Sequence, residues 1–227
     1  MLSTHSPHPS VLPTPSAAEA ARYALLRRLA PSMRHHLVVN LQPIGMIYEV
    51  MDRRLKAPQP DLASVHESAH KINGFARAAL NSCLDVVSWL APEEGTTSSV
   101  TEGVRECSGL LATSLSFRGF PLRSEIGVIQ GHVRRSAIRN LLTAALIHLT
   151  DESAPPADLV LTGEAASRGV RLDIALRAST GDQGFTSEPG YRALEWSDVE
   201  ALAMSEGVEA EREDGRISLM IPWAPAQ

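Results

Sequence analysis

Cysteine is nearly absent from this chain: two in 227 residues, Cys83 and Cys107. That excludes a disulfide framework, and both sit among apolar neighbours, as small core side chains do in a reducing compartment. No stretch approaches the roughly 18 apolar residues of a membrane span, so no membrane segment is expected. There is no long basic run, and the net charge is −5. Both facts argue against non-specific nucleic-acid binding. The N-terminus, MLSTHSPHPSVLPTPS, lacks a basic start and a continuous apolar region, which excludes a secretory signal. Internal repeats are also lacking, and the expected location is the cytoplasm. What remains is 44% hydrophobic and 21% charged, an ordinary globular composition sized for one large domain or two small ones.

Residues 1–16 hold four prolines, four serines and two histidines and read as a disordered tail. AAEAARYALLRRL (17–29) is strongly helical, and Pro31 suits the first turn of a new helix running to about Lys56. Ala30, Met33, Leu37, Leu41, Ile44, Tyr48, Met51 and Leu55 recur at spacings of three and four, one buried stripe. APQPD makes a turn, with Asp61 as N-cap of a second helix over about 62–90. Its stripe is Val65, Ala69, Ile72, Ala76, Ala79, Cys83, Val86 and Leu90. Two such helices form an antiparallel hairpin, and a lone hairpin buries little, so it is expected to pair with a second copy as a four-helix bundle.

PEEGTTSS (92–99) reads as a linker, after which the pattern changes. A helix is expected over 100–116, a strand at GFPLRSEI (119–126) and a helix over about 133–149. DLVLTG (158–163) and GVRLDIALRA (169–178) alternate apolar and polar residues as a strand pair. SDVEALAMSEG (197–207) is a helix closed by glycine, and 208–223 a hairpin with an Asp-Gly turn. The expected architecture is α plus α/β: a hairpin domain over 17–91, then an α/β sandwich over 100–227 with helices on one face of a mixed sheet.

The hairpin's first helix carries RHHLVVNLQPIG (34–45). Stepping about 100° per residue puts Leu37, Leu41 and Ile44 on the stripe, His36 on its flank and His35 nearly opposite. Val39, Gln42 and Met46 share the His35 face. An exposed histidine beside exposed apolar residues is a docking surface, although solvated histidines are also common. Pro43 cannot donate to the Val39 carbonyl and is expected to bend the helix. Arg34 stands beside His35, where it can meet a phosphoryl group or an acidic partner or simply stay solvated. Asn40, near the stripe's edge, can hydrogen-bond across the hairpin.

A competing pattern is HESAH (66–70), a literal H-E-x-x-H. On a helix His66 and His70 share one face and can bind Zn²⁺ with Glu67 as base. Against it, Lys71 puts a cation beside the second ligand, and a third ligand would have to come from Glu93 or Glu94 across the linker. His132 and His148 read as edge residues of the 133–149 helix. Trp89, Trp196 and Trp223 read as packing anchors.

HHLVVNLQPI (35–44) resembles the H-box of histidine kinases, which begins with the phosphorylated histidine, usually followed by an acidic residue. The order of the later segments, SFRGFPLRSE, RRSAIRNLLTAALIHL, the strand pair and the final helix and hairpin, resembles the ATP-binding domain of that family. The resemblance covers most of the chain beyond the tail, and the departures from it carry the inference. The family's acidic neighbour is replaced by His36. The Mg²⁺-binding asparagine of the N-box falls on Ala144, with Asn140 in the earlier position. The adenine-reading aspartate and its glycines fall on Ala178, Ser179 and Thr180, and GDQGFTSEPG (181–190) lacks the later glycine pattern.

What remains resembles the ChpT-type histidine phosphotransferases, in which phosphoryl passes between receiver-domain aspartates through a histidine. The resemblance implies His35 as phosphoacceptor, with His36 as fallback, and Arg34, Val38, Val39, Gln42 and Met46 as receiver contacts. It implies no cofactor of the chain's own, since the receiver brings Mg²⁺. The implied partners are receiver domains of a hybrid kinase and of response regulators, and a second copy through the hairpin; neither nucleic acid nor membrane is a partner. The chemistry is consistent: a free imidazole titrates near ~6.5 and is a competent nucleophile, and an aspartyl phosphate is an activated donor. Two other classes stay open: a non-catalytic pseudokinase scaffold, which tolerates loss of His35, and a zinc metalloprotease using HESAH.

Overall fold

The structure, a computed structural model, describes residues 15–91, 95–185 and 191–225. Most of the expected tail (1–14), three residues of the expected linker (92–94) and part of the 181–190 segment lie outside them.

The first helix, α1, runs unbroken over Pro15–Leu55 with Pro31 and Pro43 inside it. A break at Pro31 was expected; there is none. An interior proline costs about 3 kcal/mol. Leu25, Leu29 and Met33, on either side of it, are all buried in the main core, and each such side chain contributes about 1.5–3 kcal/mol. Three of them outweigh the lost hydrogen bond. The helix also begins at Pro15, inside the segment expected as tail. Asp61 caps α2 (Leu62–Leu90), its carboxylate accepting from the amides of Ala63 at 3.1 Å and Ser64 at 3.3 Å.

The two helices form the expected antiparallel hairpin, but its seam is shifted from the expected stripes. On α2, Val65, Ser68, Ile72, Phe75, Ala79, Ser82, Val86 and Trp89 turn inward. Ala69, Ala76, Cys83 and Leu90 are exposed. Cys83 is therefore a surface thiol and no core residue, whereas Cys107 is buried as expected. On α1, Leu41, Tyr48 and Leu55 of the expected stripe are exposed, and Ala30 with them. Apolar residues cover a wider arc of each helix than a single partner can bury, and helical phase puts the surplus stripe residues Leu41, Tyr48 and Leu55 on one side of the hairpin.

The remaining chain builds the expected mixed sheet. Strand β1 (Thr97–Ser99) lies inside the segment expected as linker; it pairs antiparallel with β3 (His132–Arg134). Ser99 then caps α3 (Val100–Phe117), accepting from the Glu102 amide at 3.2 Å. The large sheet has the order β2-β4-β5-β7-β6, from β2 (Leu122–Ser124), β4 (Ala157–Ala165), β5 (Gly169–Ala178), β6 (Glu209–Glu213) and β7 (Arg216–Pro222). β2 runs parallel to β4 and the other pairs are antiparallel. Cross-strand partners Val170–Ile221, Leu172–Leu219 and Ile174–Ile217 are fully buried, so one face of the sheet meets the helices. The other face carries ion pairs such as Arg123–Asp158 and Arg216–Asp173.

Helix α4 (Arg135–Asp151) lies on that inner face beside α3 and α5 (Trp196–Glu206). It is buried from Ala137 to Thr150. The reason is a third layer: the first half of α1 packs on α5, α3 and α4. Ala21, Ala24, Leu25, Leu29 and Met33 belong to one core with the sheet. The expected division at 17–91 and 100–227 is thus crossed by α1, which is α/β core at its start and free hairpin at its end.

Candidate functional site

The site is built on α1 just past the point where it leaves the α/β core. Met33 is buried; Arg34 and His35 are exposed, His36 is half-buried, and Asn40 faces α2. Helical phase explains the contrast, because 33, 36, 40 and 47 lie on the seam while 35 lies about 140° from Asn40. The two imidazole rings are 6.4 Å apart between centroids, tilted by 57°. Around His35 the surface is apolar: Val38, Val39 and Met46 are 45%, 51% and 62% exposed, and Gln42 is exposed. Val38, Val39, Gln42 and Met46 share the arc of His35. Arg34 stands on the flank of that arc, toward the surplus apolar side.

His36 faces elsewhere. It lines an open cleft of about 330 Å³ between the hairpin and the α/β layer, with Met33, Ser82, Asp85, Trp89 and Glu106 among the walls. Behind the cleft is a joint that the sequence did not reveal. Arg139 of α4 is buried; its guanidinium lies 4.7 Å from the centre of the Trp89 ring, donates to Ser88 Oγ at 3.1 Å and pairs with Glu106. An arginine in the apolar run RNLLTAALIHL was the available signal, since a buried cation must be paired. A second joint holds the start of α1. The Asp151 carboxylate accepts from Arg28 at 2.5 and 2.6 Å, from Arg118 at 3.0 Å and from the Leu194 amide at 3.1 Å.

The other candidates stand apart from this site. His66, Glu67 and His70 are exposed, and Glu67 is paired with Lys71 at 2.7 Å, which holds its carboxyl below the ordinary range. Glu93 and Glu94 lie outside the described residues, and among the described residues no group of three His, Cys, Asp or Glu side chains is placed to hold a metal ion. His132 is exposed, but His148, expected at an edge, is fully buried. Its Nδ1 lies 2.7 Å from the Leu194 carbonyl. Sequence phase missed this because the groups that enclose the ring come from distant segments: the Leu194 carbonyl, the Trp196 ring at 5.7 Å and Arg212 of β6.

The positions that the kinase resemblance assigns to nucleotide do not fit one. Ala144 is a fully buried methyl group and offers no metal ligand. Asn140 is buried and committed to Glu206 at 2.9 Å. Ala178 ends β5 and Ser179 and Thr180 follow it, with no carboxylate among the three. No chemical step is derived through ATP.

No family model and no curated protein matches the chain. Solved structures of similar layout include a histidine kinase from Burkholderia phymatum (13% identity, 94% of this chain, 100% of that chain, TM-score 0.43). A bacterial phosphotransferase aligns over 93% of this chain and 98% of its own at 13% identity, TM-score 0.40. The histidine kinase ThkA, in complex with the response regulator protein TrrA, aligns over 91% of this chain and 64% of its own at 13% identity, TM-score 0.41. Likeness at that level says nothing of chemistry, so the function is argued from the residues. Among the described residues no helix is long and apolar enough to cross a membrane.

Proposed function

We propose that this chain is a phosphorelay histidine phosphotransferase, passing phosphoryl between receiver-domain aspartates through His35 without binding ATP. The observation that carries this is the placement of His35: exposed on α1, on one arc with exposed Val38, Val39, Gln42 and Met46. In the transfer, the His35 imidazole attacks the phosphorus of an aspartyl phosphate, an N–P bond forms, and the carboxylate leaves. The reverse step delivers phosphoryl to a second receiver. The acceptor's tasks are exposure and orientation, and Mg²⁺ is the receiver's contribution. Arg34, on the flank, is positioned for an acidic receiver rim. The surplus apolar face, with Leu41, Tyr48 and Leu55 of α1 and Leu62, Leu80, Cys83 and Val87 of α2, is assigned to a second copy of the chain. It lies across the hairpin from His35, so dimerisation and docking do not compete. The setting of such a relay is the cytoplasm.

His36 is the alternative acceptor because it opens on the cleft. The test is transfer from a phosphorylated receiver to this protein and onward to an unphosphorylated receiver, without ATP. Onward transfer lost in His35→Ala and kept in His36→Ala supports the assignment; the reverse pattern moves it to His36. Receivers that bind but never exchange label, with binding intact in His35→Ala, would instead make the chain a scaffold.

A further inference from the structure

The seam between α1 and α2 is mostly apolar, with Leu37, Ile44 and Ile47 of α1 half-buried on the side of Val65, Ile72, Phe75, Ala79 and Val86 of α2, and apolar packing alone discriminates weakly between registers one turn apart. Among the described residues only two side-chain hydrogen bonds join the helices. One, Arg54 to Ser64, lies at the exposed turn. The other is Asn40. Its Nδ2 donates to Ser82 Oγ at 3.0 Å and to the His36 carbonyl at 3.1 Å, and Ser82 Oγ in turn donates to the Ala78 carbonyl at 3.1 Å. The tie therefore runs from the backbone of a histidine on α1 to the backbone of α2.

Its position matters because Pro43 is in the next turn and has no amide to offer the Val39 carbonyl. Asn40 joins α1 to α2 where the ladder of α1 is interrupted. A single polar pair in an apolar helical seam selects one register because every slipped register leaves it unpaired.

We propose that Asn40 is a positioning residue that fixes the axial register of the hairpin and thereby the height of His35 and His36 beside the α/β layer. The structural part stands alone; the consequence for phosphoryl transfer rests on the reading above. A slip of one turn moves α1 by about 5 Å along α2. Displacement of 1 Å is enough to cost a transfer reaction about 100-fold.

The test uses spin labels on Glu49→Cys and Asn81→Cys in a Cys83→Ser background, both positions exposed, with labelled chains diluted in unlabelled Cys83→Ser protein so that only distances within one chain are read. Electron-electron resonance should give one narrow distance in the parent. Asn40→Leu and Ser82→Ala should add a second population displaced by about one turn, while the urea midpoint of Asn40→Leu stays level or rises. The swapped pair Asn40→Ser with Ser82→Asn should restore the single distance. In the same variants without labels, kcat for transfer should drop by about tenfold or more at unchanged KM, and the swap should recover it. A single unshifted distance in both variants overturns the proposal whatever the transfer rates. Shifted register in a protein that accepts phosphoryl from no receiver overturns the phosphotransfer reading and leaves Asn40's role standing.

Discussion

Asp151→Ala should be among the most damaging single substitutions in this protein. The Asp151 side chain is only 2% exposed and Arg28 opposite it 7%. Removing the carboxylate takes away a two-oxygen pair with Arg28, a contact with Arg118 and a bond from the Leu194 amide. The pair itself contributes little net, because forming it strips water from both charges. The cost arises from what is left: a buried guanidinium with no counter-charge, worth about 3–5 kcal/mol. Domains of this kind are stable by about 5–15 kcal/mol in all, so urea unfolding followed by circular dichroism should show a loss of about a fifth or more. Amide exchange should rise in 15–33, the part of α1 held by that joint, before it rises in β4 or β5. A loss under about 1 kcal/mol, or exchange that rises evenly through the chain, would refute the claim that Asp151 pins the start of α1.

Other outcomes follow from the same structure. Burial alone would raise the Asp198 carboxyl, but bonds from Arg192 and the Glu195 amide outweigh it and hold it below the ordinary 3.8. Its contribution to stability is therefore complete above that value and lost as pH falls through the lower folded value. Unfolding midpoints measured from pH 7 to 2 should drop below about pH 4 in the parent, and less steeply in Asp198→Asn. Burial pushes the Cys107 thiol far up, so a thiol reagent should modify Cys83 alone in native protein and both cysteines in urea. In the proposed dimer, whose seam includes Cys83, a bulky maleimide on that thiol should shift the sedimenting species toward monomer. Gly184 has φ of +66°, and a Cβ there would come within 2.3 Å of the Gly119 amide nitrogen. Gly184→Ala should cost at least about 2 kcal/mol in urea unfolding.

Much of the fold was legible because its causes are local. The alternation in 158–163 and 169–178, the Asp61 cap, the glycine at 207 and the Asp-Gly turn each specify a backbone geometry without outside help. The left-handed φ of +63° at Gly207 is one instance. What was not legible depends on distant parts of the chain. Pro31 signals a helix start by local rules, yet burial of Leu25, Leu29 and Met33 carries α1 through it. The apolar stripes of the hairpin were visible, but a stripe does not say which of its residues the partner helix covers; Cys83 and Leu41 are left exposed. β1 and β3, of three residues each, are too short for any periodicity to show. Within the site, the outward placement of His35 needed only the pitch of a helix. The cleft beside His36 did not follow from pitch, because α3 supplies five of its twelve lining residues and joins it from more than sixty residues away.

The most direct test of the whole account is the site of phosphorylation. The protein is incubated with a phosphorylated receiver domain in the absence of ATP, quenched at alkaline pH, and digested for tandem mass spectrometry. Acid-labile phosphoryl on His35, absent from every other residue, is the predicted result. Phosphoryl on no residue after exposure to a full panel of phosphorylated receivers, or on a histidine outside α1, would contradict it.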